Sequence, residues 1–231
     1  MKNIISIIPA RGGSKEIPKK NIKLLAGKPL IEYSISVSLK SKYIDRTIVS
    51  TDDKEIEKIA KDLGAEVILR PESLATDKTP MEPVLIHLVN HLSEKENYNC
   101  DAIVLLQPTC PIREVKDVDS AVKTFLDNNA DSVVSVFEDY YYSWFGEINN
   151  DGSFEPKYDS QNRTRRQEIK PKYHEIGSIY IMTKELLLSE KCRIGGKIYP
   201  YVIDKIKAID IDEEFTCWLI EQMIKYKKIN L

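Results

Sequence analysis

No stretch of this 231-residue chain approaches the roughly 18 consecutive apolar residues that cross a bilayer. Lys2 and Asn3 lead straight into an apolar segment without the cleavage site of a secretory leader, so a cytoplasmic protein with no membrane partner is expected. Excess positive charge is missing too. Thirty-four Lys and Arg against 36 Asp and Glu leave a formal charge of −2, which argues against a general nucleic-acid binder. Cys100, Cys110, Cys192 and Cys217 form no C-x-x-C pair and no regular spacing, which removes the usual zinc and redox arrangements. His87 and His91 stand at i and i+4 but lack the glutamate of H-E-x-x-H. Neither G-x-x-x-x-G-K-[ST] nor G-x-G-x-x-G occurs, so the common phosphate loops are absent. There are no repeats, no low-complexity tracts and no interdomain linker, and one domain spanning 1–231 is expected.

What is present is a strong alternation of two periodicities. "NIISII" is a nearly continuous apolar run of strand length, as in a strand buried on both faces. Residues 29–41 read as a helix, "RTIVST" as a second strand and 53–63 as a helix with Ile56, Ile59, Ala60 and Leu63 on one face and Gly64 at its stop. "AEVIL" is a third strand, 80–95 a helix, "DAIVLLQ" a fourth strand, 114–129 a helix and "DSVVSVF" a fifth strand. Such alternation predicts an α/β fold: a three-layer, open, mostly parallel sheet with helices on both faces. The rhythm breaks over 138–175, an aromatic and polar stretch with Asp151-Gly152 as a hairpin turn, expected as a small β-rich excursion. "GSIYIM" returns as a strand and "KAIDID" as a short last one. A closing helix over 213–228 is expected to turn Phe215, Leu219, Ile220, Met223 and Ile224 inward.

Residues 7–21, "IIPARGGSKEIPKKN", concentrate charge in the turn after the first strand. Ligands of open α/β sheets bind at the carboxyl ends of strands. Gly12 and Gly13 let backbone approach a ligand, Ser14 adds a hydroxyl, and Arg11, Lys15, Lys19 and Lys20 supply cations. That combination suits a triphosphate. Near the other end, "AIDIDEEF" sets Asp210 and Asp212 two apart, on one face if extended. Two readings stand open: a Mg²⁺ site beside phosphates, or Asp212 as a helix N-cap with Glu213 and Glu214 complementing the dipole.

The order of these residues closely resembles the CMP-sialic acid synthetases (acylneuraminate cytidylyltransferases), whose N-terminal signature has the form P-A-R-x-x-S-K-x-x-P-x-K-N. "IVSTDDKEI", "LRPESLATDKT", "LLQPTCPIR", "VVSV", "RRQ", "GSIYI" and "AIDIDEEFT" resemble further family segments in the same order. The resemblance implies that Arg11, Lys15, Lys20 and Asn21 handle the phosphates of CTP. It implies that Arg70, Gln107 and the segment bearing Thr79 lie beside cytosine and ribose. It assigns Asp210 and Asp212 to Mg²⁺ (or Mn²⁺), with Asp212 nearer the nucleophile. Gln107, Arg166 and Gln167 are assigned to the acidic sugar, in their own or a partner's site, and 138–175 is implied to mediate a homodimer. Two departures stand out: Met81 replaces a serine found in some members, and Ile176 an asparagine. The implied reaction is attack by the anomeric hydroxyl of a nine-carbon keto-sugar acid (sialic, legionaminic or pseudaminic) on the α-phosphorus of CTP. The alternatives are the shorter acid Kdo as acceptor, and a GT-A-type glycosyltransferase using Asp-x-Asp.

Overall fold

The computed structural model describes residues 3–140, 144–163, 165–226 and 228–229. Strand β1 (Ile4–Pro9) is buried along its whole length. Its alternate side chains feed two cores, Ile4 and Ile8 on one face and Ile5 and Ile7 on the other. That double burial is why the segment reads as an unbroken apolar run. A small hairpin of β2 (Leu24–Leu25) and β3 (Lys28–Pro29) precedes helix α1 (Leu30–Leu39). Strand β4 (Arg46–Thr51), helix α2 (Lys54–Asp62) and strand β5 (Glu66–Leu69) follow. Asp53 caps α2 by accepting the amides of Glu55 and Ile56 at 2.7 and 3.0 Å. Gly64 ends that turn at φ +90°, a conformation that favours glycine.

Beyond α3 (Met81–Glu96) come β6 (Ala102–Leu105), α4 (Val115–Asp127) and β7 (Ser132–Asp139). A hairpin of β8 (Gly146–Ile148) and β9 (Phe154–Pro156) turns at Asp151-Gly152. Strand β10 (Lys172–Thr183), helix α5 (Lys184–Glu190), strand β11 (Ile198–Val202) and helix α6 (Glu214–Lys225) complete the chain. The main sheet runs β11-β7-β10-β6-β1-β4-β5, parallel except for β10, which is antiparallel to both neighbours. Helices α1, α2 and α4 pack on one face, α3 and α5 on the other. This is the mostly parallel, three-layer α/β fold. A third cluster joins Ile17, Leu30 and Ile112 to Ile211 and Ile220, seating the last helix beside the first loop.

Several local expectations need correction. "KAIDID" is not a strand: a 3₁₀ turn at Lys205–Lys207 leads into irregular chain without sheet partners. Phe215 is 59% exposed, stacked on Trp218, whereas Ile220 is buried. The excursion is shorter than 138–175, because β7 continues to Asp139 and β10 already pairs with it from Lys172. Helix α5 and strand β11 were not expected. β11 alternates exposed and half-buried residues at a sheet edge, which leaves little apolar signal.

Phe125 of α4 is fully buried in the first core. Phe125→Ala is expected to lower the unfolding free energy by about 3–5 kcal/mol. Urea denaturation would show it as an earlier midpoint at unchanged slope.

Candidate active site

The chain runs from β1 to β4 and β5 on one side, then crosses back through α3 to β6 on the other, so the sheet reverses its winding between β1 and β6. A cleft of about 440 Å³ opens at the carboxyl ends of these strands. Its walls come from four segments: the loop after β1, the stretch 70–81, the turn after β6 and Asp212 ahead of α6.

The β1 loop carries Arg11, Ser14, Lys15, Lys20 and Asn21 into the cleft. Its path is set by contacts rather than by its own propensity. The Gly12 amide donates to Asp52 Oδ1 at 3.1 Å, and a Cβ on Gly12 would stand 2.5 Å from Asp53 Oδ2, so only glycine fits. Gly13 has no such close neighbour. Asn21 is buried, and its amide donates to the Arg11 carbonyl at 2.9 Å, shaping the loop from inside. Arg11 and Lys15 both contact Asp77, at 2.5 and 2.7 Å. Those two cations hold the Asp77 carboxyl below the usual carboxylate range, Lys15 most strongly. The sequence offered one signal for Asp77, a lone acid within "LATDKT".

Arg70 is buried behind Arg11, 3.8 Å from Asp52, with no partner for its Nε. Burial, and then the nearby Arg11, push its pKa down, the mark of a cation short of counter-charge. Thr79 lines the cleft and bonds the Thr76 hydroxyl at 2.7 Å. Gln107 lies across from it, and a Cβ on Gly177 would meet Gln107 Oε1 at 2.0 Å. Glycine at 177 is what lets that side chain sit there. Arg113, which sequence reasoning passed over, is buried behind the turn, with its guanidinium donating to the carbonyls of Gln107 and Ser178 and to the Ser34 hydroxyl. It ties α1, the β6 turn and β10 together.

The acidic pair enters from the far end of the chain. Ile211 is fully buried and its amide donates to the Thr109 carbonyl at 2.8 Å, which fixes Asp210 and Asp212 on either side of it. Lys20 Nζ donates to the Ile211 carbonyl at 2.9 Å and lies 3.2 Å from Asp212 Oδ1. The helix N-cap is Glu213, whose amide donates to the Thr216 hydroxyl, so Asp212 is not spent on capping. Asp210 keeps a buried Oδ1 with no hydrogen-bond partner. Burial raises its pKa, Thr109 partly offsets that, and Asp212 adds to it. An orphaned carboxylate oxygen beside a second carboxylate fits a hard cation such as Mg²⁺. No group of three or more His, Cys, Asp or Glu suited to a metal occurs among the described residues, so phosphate and water would have to complete the shell.

The remaining expectations fall elsewhere. Gln167 is exposed on a 3₁₀ turn and is not a cleft-lining residue, and the side chain of Arg166 lies outside the described residues. His87 and His91 have ring centroids 6.4 Å apart, with His87 Nδ1 buried and unpartnered.

Because burial raises the Asp210 pKa, its ionised form disfavours the fold. That penalty is absent below the ordinary carboxylate range and complete once pH exceeds the raised value. Asp210→Asn is therefore expected to raise Tm by about 2–4 °C in metal-free buffer at pH 7, on the scale of about 1 kcal/mol. Calorimetry should show the gain shrinking toward zero near pH 4, roughly the ordinary carboxylate pKa.

Comparison with known proteins bears on this geometry. The family pattern described as Cytidylyltransferase matches residues 5–231. The chain is 32% identical to the N-acylneuraminate cytidylyltransferase of Escherichia coli over 99% of its own length and 54% of that protein. It thus spans about half of that relative. It is 35% identical to the CMP-N,N'-diacetyllegionaminic acid synthase of Legionella pneumophila, covering 96% of each chain. It is 32% identical to the post-translational flagellin modification protein B of Campylobacter coli, covering 98% of that protein. In fold it is similar to a CMP:2-keto-3-deoxy-manno-octonic acid synthetase complexed with CTP, with TM-score 0.72 at 15% identity over 97% of this chain and 99% of that one. The chain therefore belongs to the cytidylyltransferase family.

Proposed function

We propose that the protein transfers CMP from CTP to the anomeric hydroxyl of a nine-carbon keto-sugar acid of the sialic or legionaminic kind, releasing pyrophosphate. One observation carries the reading: the basic β1 loop and Asp212 meet in one cleft, with Lys20 touching Asp212 across it and Asp210 Oδ1 buried just behind. The named relatives support the acceptor class, and their substrates are extended to this chain on that likeness.

In this reading Arg11 and Lys15 bind the phosphate chain and offset the charge that builds as the bond to pyrophosphate breaks, usually the largest catalytic contribution. Gly12, Gly13 and Ser14 let the backbone approach that chain. Arg70, Thr79 and Gln107 shape the wall for base, ribose and acceptor. Asp210 and Asp212 would hold Mg²⁺, which supplies Lewis-acid polarisation of the α-phosphate when bound. Lys20 orients Asp212 through its ammonium. No histidine is among the residues that line the cleft. Arg166 and Gln167 remain assigned to the sugar carboxylate, for which arginine offers paired hydrogen bonds. The chain acts as one domain in the cytoplasm, with the 138–175 excursion as the contact of a homodimer. Light scattering should give twice the 26.5 kDa chain mass, and a monomer would remove that contact.

Pyrophosphate release should appear with CTP and a nine-carbon keto acid, and not with UTP, ATP or GTP. Release with Kdo alone would move the acceptor to the shorter acid, and none with any acid would end the reading. Asp212→Asn is expected to lower kcat by at least about 10²-fold, the scale of losing a key electrostatic group. CTP affinity should stay near the wild-type value. Near-normal turnover would mean that Asp212 holds no metal.

A further inference from the structure

Arg11 and Lys15 are already engaged. Arg11 Nη1 meets Asp77 Oδ1 at 2.5 Å and Lys15 Nζ meets Asp77 Oδ2 at 2.7 Å. Each carboxylate oxygen takes one cation, which is the pattern a phosphate would make with the same two groups. Asp77 lies 66 residues from Arg11 along the chain, so the contact is built by the fold and not by adjacency. The loop bearing it is short and tied to itself: Thr79 Oγ1 donates to the Ser73 carbonyl at 3.3 Å and pairs with the Thr76 hydroxyl. Thr76, Asp77 and Thr79 line the same cleft as the two cations.

A polyphosphate bound by Arg11 and Lys15 competes with this carboxylate for the same two cations. Both partners of the Lys15 pair are substantially exposed, with side chains 79% and 36% accessible, so the contact is weak and exchangeable. A carboxylate brings one negative charge to the two cations and a triphosphate several, so the exchange favours highly charged ligands over small anions such as chloride or acetate.

We propose that Asp77 is an internal stand-in for the phosphate chain, occupying the anion site of the cleft and setting its selectivity for polyphosphates by competing for Arg11 and Lys15. This rests on the reading that the cleft takes a nucleoside triphosphate. Its sign is opposite to that of an ordinary binding residue: removing the side chain's charge strengthens binding.

Calorimetric titration with inorganic triphosphate, and separately with CTP, tests this in metal-free, low-salt buffer. Asp77→Asn is expected to tighten both by about 3- to 10-fold, the range of one or two exposed ion pairs. Asp77→Glu, which keeps the charge, should stay within about 2-fold of wild type on the same scale. In a Lys15→Met background the gain from Asp77→Asn should shrink, because part of the competition runs through Lys15. Equal or weaker triphosphate binding by Asp77→Asn overturns the proposal, and so does an undiminished gain in the Lys15→Met background. Inorganic triphosphate carries no base, so these outcomes stand even if CTP proves no better a ligand than UTP. That last result would count against the cytidylyltransferase reading alone.

Discussion

Lys20 reaches across 191 residues of sequence to the carbonyl of Ile211. That contact, with the Asp212 carboxylate beside it, joins the start of the chain to its end over the cleft. Two things make it hold. Ile211 is driven into the core with Ile17, Leu30 and Ile220, and its amide is anchored on Thr109. The flanking aspartates are then held at the site, Asp212 exposed in the cleft and Asp210 with a buried carboxylate oxygen behind it. Burial of one isoleucine thus fixes both carboxylates beside Lys20 and Thr109.

The price of this arrangement is visible in the polar groups left short of partners. Asp210 Oδ1, Arg70 Nε and Arg113 Nε are buried without hydrogen bonds. Unsatisfied buried groups cost about 1–3 kcal/mol each and are uncommon away from functional sites. These three, of the six such atoms among the described residues, lie on or directly behind the walls of one cleft. Arg113 differs from the other two, since its remaining nitrogens hold carbonyls of the β6 turn and of β10. It acts on the shape of the wall where Gln107 sits, and Gly177 completes that shape by lacking a side chain.

Much of the fold was legible because its signals are local. The helices over 54–62 and 115–127 carry one apolar face each, β1 and β6 are nearly continuous apolar runs, and β4 is rich in β-branched residues. Edge and connecting elements were not legible. β11 is half exposed, α5 spans only seven residues, and the segment before α6 has strand-like alternation but no strand beside it. In the site, the residue types of the β1 loop and of the aspartate pair were readable as phosphate and cation chemistry. The partners of those residues were not: Asp52, Arg113 and Gly177 look ordinary in one dimension, and Asp77 shows only as a lone acid in its segment.

The sequence by itself determined which chemistry is available. It placed glycines and cations after a buried strand and two carboxylates near the chain end, because charge, backbone freedom and apolar period are properties of neighbours along the chain. Tertiary structure alone decided which of these groups meet. Asp77 on Arg11, Lys20 on Asp212 and Gln107 against Gly177 are separated by 66 to 192 residues. Contacts at such separations are selected by the packing of the whole sheet and its helices, and no local pattern encodes them.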